Sequence, residues 1–274
     1  DVSFQGSGSH KGATRIANAP NPALYPDGML CINMIRSSNH VLKYDSSITT
    51  AYKWRSAAGN KADGSAYLGR KAQRAVIVKQ MQAALASNDD ARSTSTTFNL
   101  IAAPGYPELA DEMMTLNVDR KETAFVVIDP PFRLAPSGVT AWMAGTNGTE
   151  NGEDAMITSG SQCAVYYPSG LSTNTDGTSV VVPASHMALR AISYNDQVAY
   201  PWFAPAGLTR GLVSNATNVG YLDSEGEFSP VALNEGQRDT LYTAKVNPIT
   251  NFPGQGLFVY GQKTLSASAS ALDR

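Results

Sequence analysis

The stretch FNLIAAPGYPELADEMMTLNVDRKETAFVVIDPPF, residues 98–132, has two short apolar runs that each end in proline and enclose a helical pattern. The first run, 98–103, stops at Pro104, and the second, 123–128, stops at the prolines that follow Asp129. Short runs that are apolar throughout are typical of strands buried on both faces. The order strand, helix, strand therefore predicts an α/β protein, α+β overall, whose central sheet carries helices on its faces.

Helical spacing recurs on both sides of this stretch. From residue 65 onward, apolar residues return every three or four positions until Asn88-Asp89-Asp90: Leu68, Ala72, Ala75, Val78, Met81 and Leu85. Pro107 and Pro183 each suit the first position of a helix, where a missing N–H costs nothing. The buried faces predicted for these two helices are Leu109, Met113 and Leu116, and Met187, Ala191 and Ile192.

The remaining segments define the predicted domains. The run CAVYYPSG, 163–170, predicts one further strand, and the polar stretch 144–162 predicts a surface loop. Residues 1–66 carry many turn signals and predict an irregular or β-rich peripheral region, with one strand at 29–35 whose partner the pattern does not indicate. We therefore expect an α/β core domain over 67–274.

Composition excludes several classes of protein. The 274 residues carry a net charge of −2 with no charged block, which argues against nucleic acid as a partner. No apolar run approaches the roughly 20 residues of a membrane helix. Only 16% of residues are charged, which indicates either a surface covered by neighbours or dilution by Gly- and Ser-rich loops. The chain starts without Met and ends on Arg274, so we expect a fragment defined by a trypsin-like cut.

Neither the cysteines nor the histidines have metal-site spacing. Cys31 and Cys163 are far apart in the sequence and predict two buried, reduced thiols. His10, His40 and His186 form no paired motif, so no metal site is predicted.

Asp129 is the best candidate for a catalytic or metal-binding carboxylate, because ligands of parallel sheets bind at the carboxyl ends of strands. The other interpretation is that it hydrogen-bonds a tight turn. The turn at 103–106 lacks a glycine-rich phosphate fingerprint, and the sequence has no Walker loop and no GxSxG elbow.

Ser185 and His186 adjoin on a helix and point in different directions, which predicts a surface or half-buried His186. We predict no catalytic, cofactor-binding or metal-binding residue.

A series of motifs in the second half of the chain occurs in a consistent order. They are Val182-Pro183, Asn195-Asp196, Pro201-Trp202, Ala204-Pro205-Ala206-Gly207, Leu233-Asn234, Leu241-Tyr242, Val246-Asn247-Pro248-Ile249, Phe252-Pro253-Gly254-Gln255-Gly256 and Gly261-Gln262-Lys263-Thr264. This combination resembles the tail sheath proteins of contractile-tailed bacteriophages, over roughly residues 68–274. The residues that carry the family motif are Pro201, Trp202, Phe203, Pro205, Gly207, Asn247, Pro248, Gly254, Gly256 and Lys263.

The segment YPWFAPAGLTRG, 200–211, permits two interpretations. In the first, its prolines and glycines form a rigid bracket whose large apolar anchors, Trp202 and Phe203, insert into the core. In the second, the aromatic side chains form an exposed patch that contacts a neighbouring subunit. Arg210 is the candidate for an intersubunit contact, the alternative being a solvated surface charge.

The resemblance implies a structural subunit, not an enzyme, that polymerises around the tail tube of a phage virion. Contraction of such a helical sheath would drive the tube through the host cell envelope for genome ejection. The implied partners are other copies of the chain, the tube protein, and the baseplate and tail terminator proteins, with no cofactor and with assembly in the bacterial cytoplasm. The resemblance implies terminal arms that join the copies, and we expect this chain to lack them and to be monomeric alone. The competing functions are an α/β enzyme or nucleotide-binding hydrolase that uses Asp129, and a surface adhesion module.

Overall fold

A computed structural model describes residues 70–93, 95–146, 160–200, 202–223 and 226–268. Several predictions fall outside this part of the chain: those for 1–66 with Cys31, His10 and His40, those for 147–159 within the polar loop, those for Leu68 and Pro201, and those for the side chains of Ala72 and Ala75.

The described chain contains both helices and strands. The helices are α1 (Arg70–Ser87), α2 (Asp89–Arg92), α3 (Ala110–Asp119), α4 (Pro136–Met143), α5 (Ala184–Val198), α6 (Gly207–Arg210) and α7 (Glu235–Thr243). The strands are β1 (Leu100–Ala102), β2 (Phe125–Ile128), β3 (Cys163–Tyr167), β4 (Ser169–Thr173), β5 (Ser179–Val182), β6 (Leu212–Val213), β7 (Asn218–Leu222), β8 (Phe228–Pro230), β9 (Val246–Phe252) and β10 (Gly256–Val259). The boundary between the two compact units of the chain falls inside α1, between Met81 and Gln82. All the strands and the sites below belong to the second unit.

The main sheet has six strands in the order β1-β2-β3-β9-β10-β6. The first four are parallel, with Ile101 opposite Val126 and Val165 opposite Val246. Strand β10 returns antiparallel to β9, and the short β6 pairs antiparallel with β10 at the far edge. This topology confirms the predicted α/β class.

Burial explains why these segments form the sheet interior. Consecutive residues are buried along β2, β3 and β9, and since alternate residues of a strand point to opposite faces, both faces are covered. Helix α5 packs on one of them through Met187, Ala188 and Ala191. The helical starts predicted at Pro107 and Pro183 are confirmed: Pro107 opens a 3₁₀ turn that leads into α3, and Pro183 is the N-cap residue of α5.

The prediction of a single strand over 163–170 is wrong. Pro168 separates β3, in the main sheet, from β4, in a second antiparallel sheet with the order β5-β4-β7-β8. Proline has no N–H to donate to a sheet ladder, so the chain changes sheet at this residue. Ser169 and Gly170, which follow the break, are buried in the second sheet.

Cys163 should be unreactive in the native protein. It is a buried free thiol, as predicted, and burial raises its pKa to about 12. Because the thiolate is the nucleophile, only about one thiol in 10,000 should be ionised at pH 8. In a Cys31→Ser variant we expect almost no labelling by iodoacetamide at pH 8 until denaturant is added, as measured by mass spectrometry. Labelling of the native variant as fast as that of the unfolded one would contradict this expectation.

Candidate interaction surface

Asp129, the candidate catalytic carboxylate, joins three elements of the core. It follows β2 and is 3% exposed. Its Oδ2 accepts hydrogen bonds from the Gly105 N–H at 3.0 Å and from the Ser185 hydroxyl at 2.6 Å, and its Oδ1 accepts one from the Ser185 N–H at 2.6 Å. The interpretation that Asp129 hydrogen-bonds a turn is therefore confirmed.

The same carboxylate also caps a helix. The N-cap residue of α5 is Pro183, which makes no capping bond of its own, and Asp129 supplies the acceptor from β2 instead. Burial raises the pKa of Asp129, and the hydrogen bonds from Ser185 and Gly105 oppose that effect. His186, on the first turn of α5, is exposed, as predicted. Among the described residues, no group of three or more His, Cys, Asp and Glu is arranged to hold a metal ion.

Asn247, from the family motif, is a buried link between strands and the carboxyl-terminal segment. It is fully buried in β9, and its Oδ1 accepts a hydrogen bond from the Lys263 N–H at 2.7 Å. Its Nδ2 donates to the Lys263 carbonyl at 2.8 Å and to the Val165 carbonyl of β3 at 3.2 Å. One amide thus fixes residue 263 against two adjacent strands.

The other motif residues near the carboxyl end support this arrangement. The Lys263 ammonium donates to the Tyr242 carbonyl at 2.9 Å and lies 4.1 Å from the centre of the Tyr242 ring. Pro248 is buried beside Asn247. Gly254 and Gly256, with φ of +77° and +111°, make the turn between β9 and β10, where a side chain would be strained.

The prediction that Trp202 and Phe203 insert into the core is wrong. Trp202 is 76% exposed and Phe203 is 36% exposed. The rings stack on one another instead: Tyr200 lies parallel to Trp202 at 4.8 Å, and Phe203 meets Tyr200 edge-on at 5.7 Å. A polar contact holds the segment, since the buried Asn195 donates to the Phe203 carbonyl at 2.9 Å.

Arg210 completes this group. Its guanidinium carbon lies 4.0 Å from the centre of the Phe203 ring, which is a cation–π contact. The short helix α6 brings it there, beginning at Gly207 after Pro205, and all three residues are half-buried. We call the group formed by Tyr200, Trp202, Phe203 and Arg210 the aromatic surface.

Further apolar side chains are exposed on the elements that flank the aromatic surface: Tyr194 and Val198 in α5, Leu208 in α6 and Leu212 in β6. Exposed apolar area concentrated in one part of a protein marks an interaction site more often than scattered residues do. None of the described helices is long and apolar enough to span a bilayer.

Sequence reasoning missed Asn195 as the residue that holds the aromatic surface. Its signal was available, because it continues the buried spacing of Met187 and Ala191 along α5. A polar residue at an apolar position of a helix indicates a buried hydrogen bond.

Part of the chain is similar in sequence to known proteins. No protein-family model matches the sequence. The chain is 39% identical over 82 residues to the tail sheath protein of Vibrio phage KVP40 and 33% identical over 79 residues to that of Enterobacteria phage T4. These matches cover 30% and 29% of this chain but only 11% and 10% of the two relatives.

A solved structure is also similar in part. The sheath complex of the extracellular contractile injection system PVC in its contracted state matches with a TM-score of 0.45 and 23% identity, over 69% of this chain and 45% of that one. The resemblance carried by the sequence motifs is confirmed by the curated relatives: part of this chain is related in sequence to phage tail sheath proteins.

Proposed function

We propose that the protein is a structural subunit of a contractile phage tail sheath. The observation that carries this proposal is the 39% identity over 82 residues to a protein named for that role. In this function the chain polymerises around the tail tube within the virion, and contraction of the polymer drives the tube through the host cell envelope. Subunits of such a polymer use heterologous contacts, in which one patch meets a different patch on the next copy.

The proposal includes the domain organisation and the partners. Residues 67–274 act as the sheath core domain, and residues 1–66 belong to a variable outer region. The partners are other copies of the chain, the tube protein, and the baseplate and tail terminator proteins. Assembly takes place in the host cytoplasm and uses no cofactor.

Electron microscopy tests the proposal directly. Negative-stain images should be recorded of the 274-residue chain and of a longer sheath polypeptide that contains it. We expect long tubes from the longer polypeptide, because heterologous contacts between copies propagate into a polymer. A longer polypeptide that stays monomeric at high concentration would contradict the proposal and would direct attention to ligands of Asp129.

The aromatic surface is our candidate for the contact between copies. Tryptophan, tyrosine and arginine are the residue types that most often dominate the energy of interfaces. Here Trp202 and Tyr200 are exposed and already stacked in a fixed orientation, so little side-chain freedom is lost when a partner covers them. Arg210, oriented by Phe203, supplies a cation at the edge of the same surface.

Replacing Trp202 with alanine should weaken assembly and leave the fold intact. Because the side chain is 76% exposed, we expect the free energy of unfolding to fall by less than about 1 kcal/mol. Loss of an interface tryptophan typically costs about 2 kcal/mol, so the critical concentration for assembly should rise about thirtyfold.

Sedimentation of polymer at increasing protein concentration measures this effect in the longer polypeptide. Tyr260→Ala is the matched control, since Tyr260 is 45% exposed and its ring contacts Phe252, which is not part of the aromatic surface. Equal critical concentrations for wild type and Trp202→Ala would exclude the aromatic surface as the contact between copies. If both proteins still formed tubes, the proposed sheath function would remain supported.

A further inference from the structure

Arg120 is a buried cation that lies at the wall of an open cavity. It follows the last turn of α3 and is only 6% exposed. The cavity has a volume of about 510 Å³ and is lined by Thr97, Phe98, Asn99, Arg120 and Thr123. These residues precede β1 and β2, so the cavity lies at the amino ends of two parallel strands, opposite the end where Asp129 lies.

The guanidinium uses part of its hydrogen-bonding capacity within the protein. Its Nη1 donates to the carbonyls of Ala91 and Ser93, each at 2.7 Å, and its Nη2 donates to the carbonyl of Thr96 at 2.9 Å. One face lies 3.9 Å from the centre of the Phe98 ring. These contacts explain why the side chain is held in place and how it orders the segment between α2 and β1.

The guanidinium has further N–H groups that these contacts do not use. Among the described residues, the enclosed Nε atom has no hydrogen-bond partner, and Nη2 has one N–H beyond its bond to Thr96. The Nε and Nη2 groups point in parallel, which is the geometry that binds a carboxylate or a phosphate through two hydrogen bonds.

The charge of Arg120 also lacks a counter-ion in the described part of the chain. An arginine is always charged in a protein, and a buried charge is normally paired. Among the described residues, no carboxylate forms an ion pair with Arg120, whereas the neighbouring Arg92 pairs with Asp119 at 2.8 Å. The other polar side chains around the cavity are two threonines and an asparagine, which can donate hydrogen bonds and carry no negative charge.

We propose that the cavity at Arg120 is a binding site for an oxyanion, namely a carboxylate or a phosphate group. The anion binds the Nε and Nη2 edge of Arg120 and receives a further hydrogen bond from the Thr123 hydroxyl, while Thr97 and Asn99 line the same rim. Because Nε is enclosed, one of these exposed rim side chains turns aside as the anion enters. The site does not depend on the sheath function, and its failure would leave that proposal untouched.

Nuclear magnetic resonance of the ¹⁵N-labelled chain tests the site. The Nε–H signal of Arg120, identified by its loss in Arg120→Lys, should move downfield and saturate as sodium phosphate or sodium acetate is added. Sodium chloride at the same ionic strength should not move it. Thr123→Val should weaken the binding about fivefold, since it removes one hydrogen bond and leaves Arg120 in place. Arg92→Lys is the matched control and should respond like wild type.

The arms of the experiment distinguish the sources of the anion. A stronger response to phosphate than to acetate identifies a phosphate site, and the reverse identifies a carboxylate site. A shift that grows with protein concentration in chloride alone identifies a carboxylate of a second copy. An Nε–H signal that moves under none of these conditions, or equally with chloride, would overturn the proposal. An unchanged affinity in Thr123→Val would overturn its placement in the cavity.

Discussion

Replacing Asp129 with asparagine should lower the free energy of unfolding by about 3 kcal/mol at neutral pH. The carboxylate accepts three hydrogen bonds, from Gly105 and from both the backbone and the hydroxyl of Ser185. An asparagine of the same shape offers one acceptor oxygen and turns an NH₂ group toward the remaining donors. Because the site is buried, water cannot replace the lost bonds. Helix α5 would also lose the acceptor that caps it.

Urea denaturation followed by circular dichroism measures this loss. The matched control is Asp196→Asn, which makes the same chemical change at an exposed position of α5 and should alter the free energy of unfolding by less than about 0.5 kcal/mol. Equal effects for the two variants would show that the contacts of Asp129 do not stabilise the fold.

The pH dependence of stability in wild type and in Asp129→Asn tests a separate property, the pKa of Asp129. Burial raises the pKa of Asp129 in the folded protein above its ordinary value of 3.8. A group with a raised native pKa contributes its stability below the pKa of the unfolded chain and loses that contribution as the pH rises through the native value. We therefore expect wild type to exceed Asp129→Asn in stability by more at the acidic end of the range than at pH 8. A difference that grows toward pH 8 would contradict the raised pKa.

Replacing Asn247 with alanine should cost a similar amount, about 3 kcal/mol. The change removes three buried hydrogen bonds and leaves the N–H and carbonyl of Lys263 and the carbonyl of Val165 without this partner. It also leaves a small cavity in β9, since Asn247 is fully buried. Asn251→Ala, on the same strand at an exposed position, is the matched control for urea denaturation and should be nearly neutral.

The outcome for Asn247 also tests the packing of the carboxyl-terminal segment. Gly261 lies so close to Asn247 that an added Cβ would be 2.9 Å from the Asn247 Cα atom. The segment therefore has little room to shift and restore the lost bonds through other groups. A loss below about 1 kcal/mol for Asn247→Ala would mean that the segment does rearrange, in conflict with this close packing.

The α/β class could be predicted from sequence because its signals are local. Strands such as β2 and β3 are buried on both faces and read as unbroken apolar runs, and the helices after Pro107 and Pro183 begin where a proline permits. Pro168 marks the end of the apolar run, but the change of sheet at this residue could not be predicted from it. Which sheet a strand joins depends on partners distant in sequence.

The prediction of the sites is limited in the same way, because their contacts also depend on residues that are distant in sequence. Asp129 was found as a carboxylate at a strand end, but its partner Ser185 is 56 residues away, so its contacts could not be read from its own surroundings. Trp202 was expected in the core because a hydrophobic side chain prefers burial. Hydrophobicity does not show, however, whether the core offers a neighbour that would cover it. In this fold the nearest partners of Trp202 are Tyr200 and Phe203, and the three rings pack against one another at the surface. Arg120 gave no signal at all, because a single arginine after a helix is ordinary in sequence.

The connection between Asn247 and residue 263 determines where mechanical tension would enter the domain. The chain after β10 is held by Asn247, by the Lys245 ammonium, which donates to the Ser266 carbonyl at 2.6 Å, and by the pairing of Leu265 with Cys163 at 3.0 Å. A pull on the polypeptide beyond Ser268 would therefore act on β9 and β3, which are interior strands of the main sheet. Edge strands peel away one hydrogen bond at a time, whereas an interior strand has partners on both sides that must yield together. The domain can thus take a pulling force at its carboxyl end without opening its sheet from the edge.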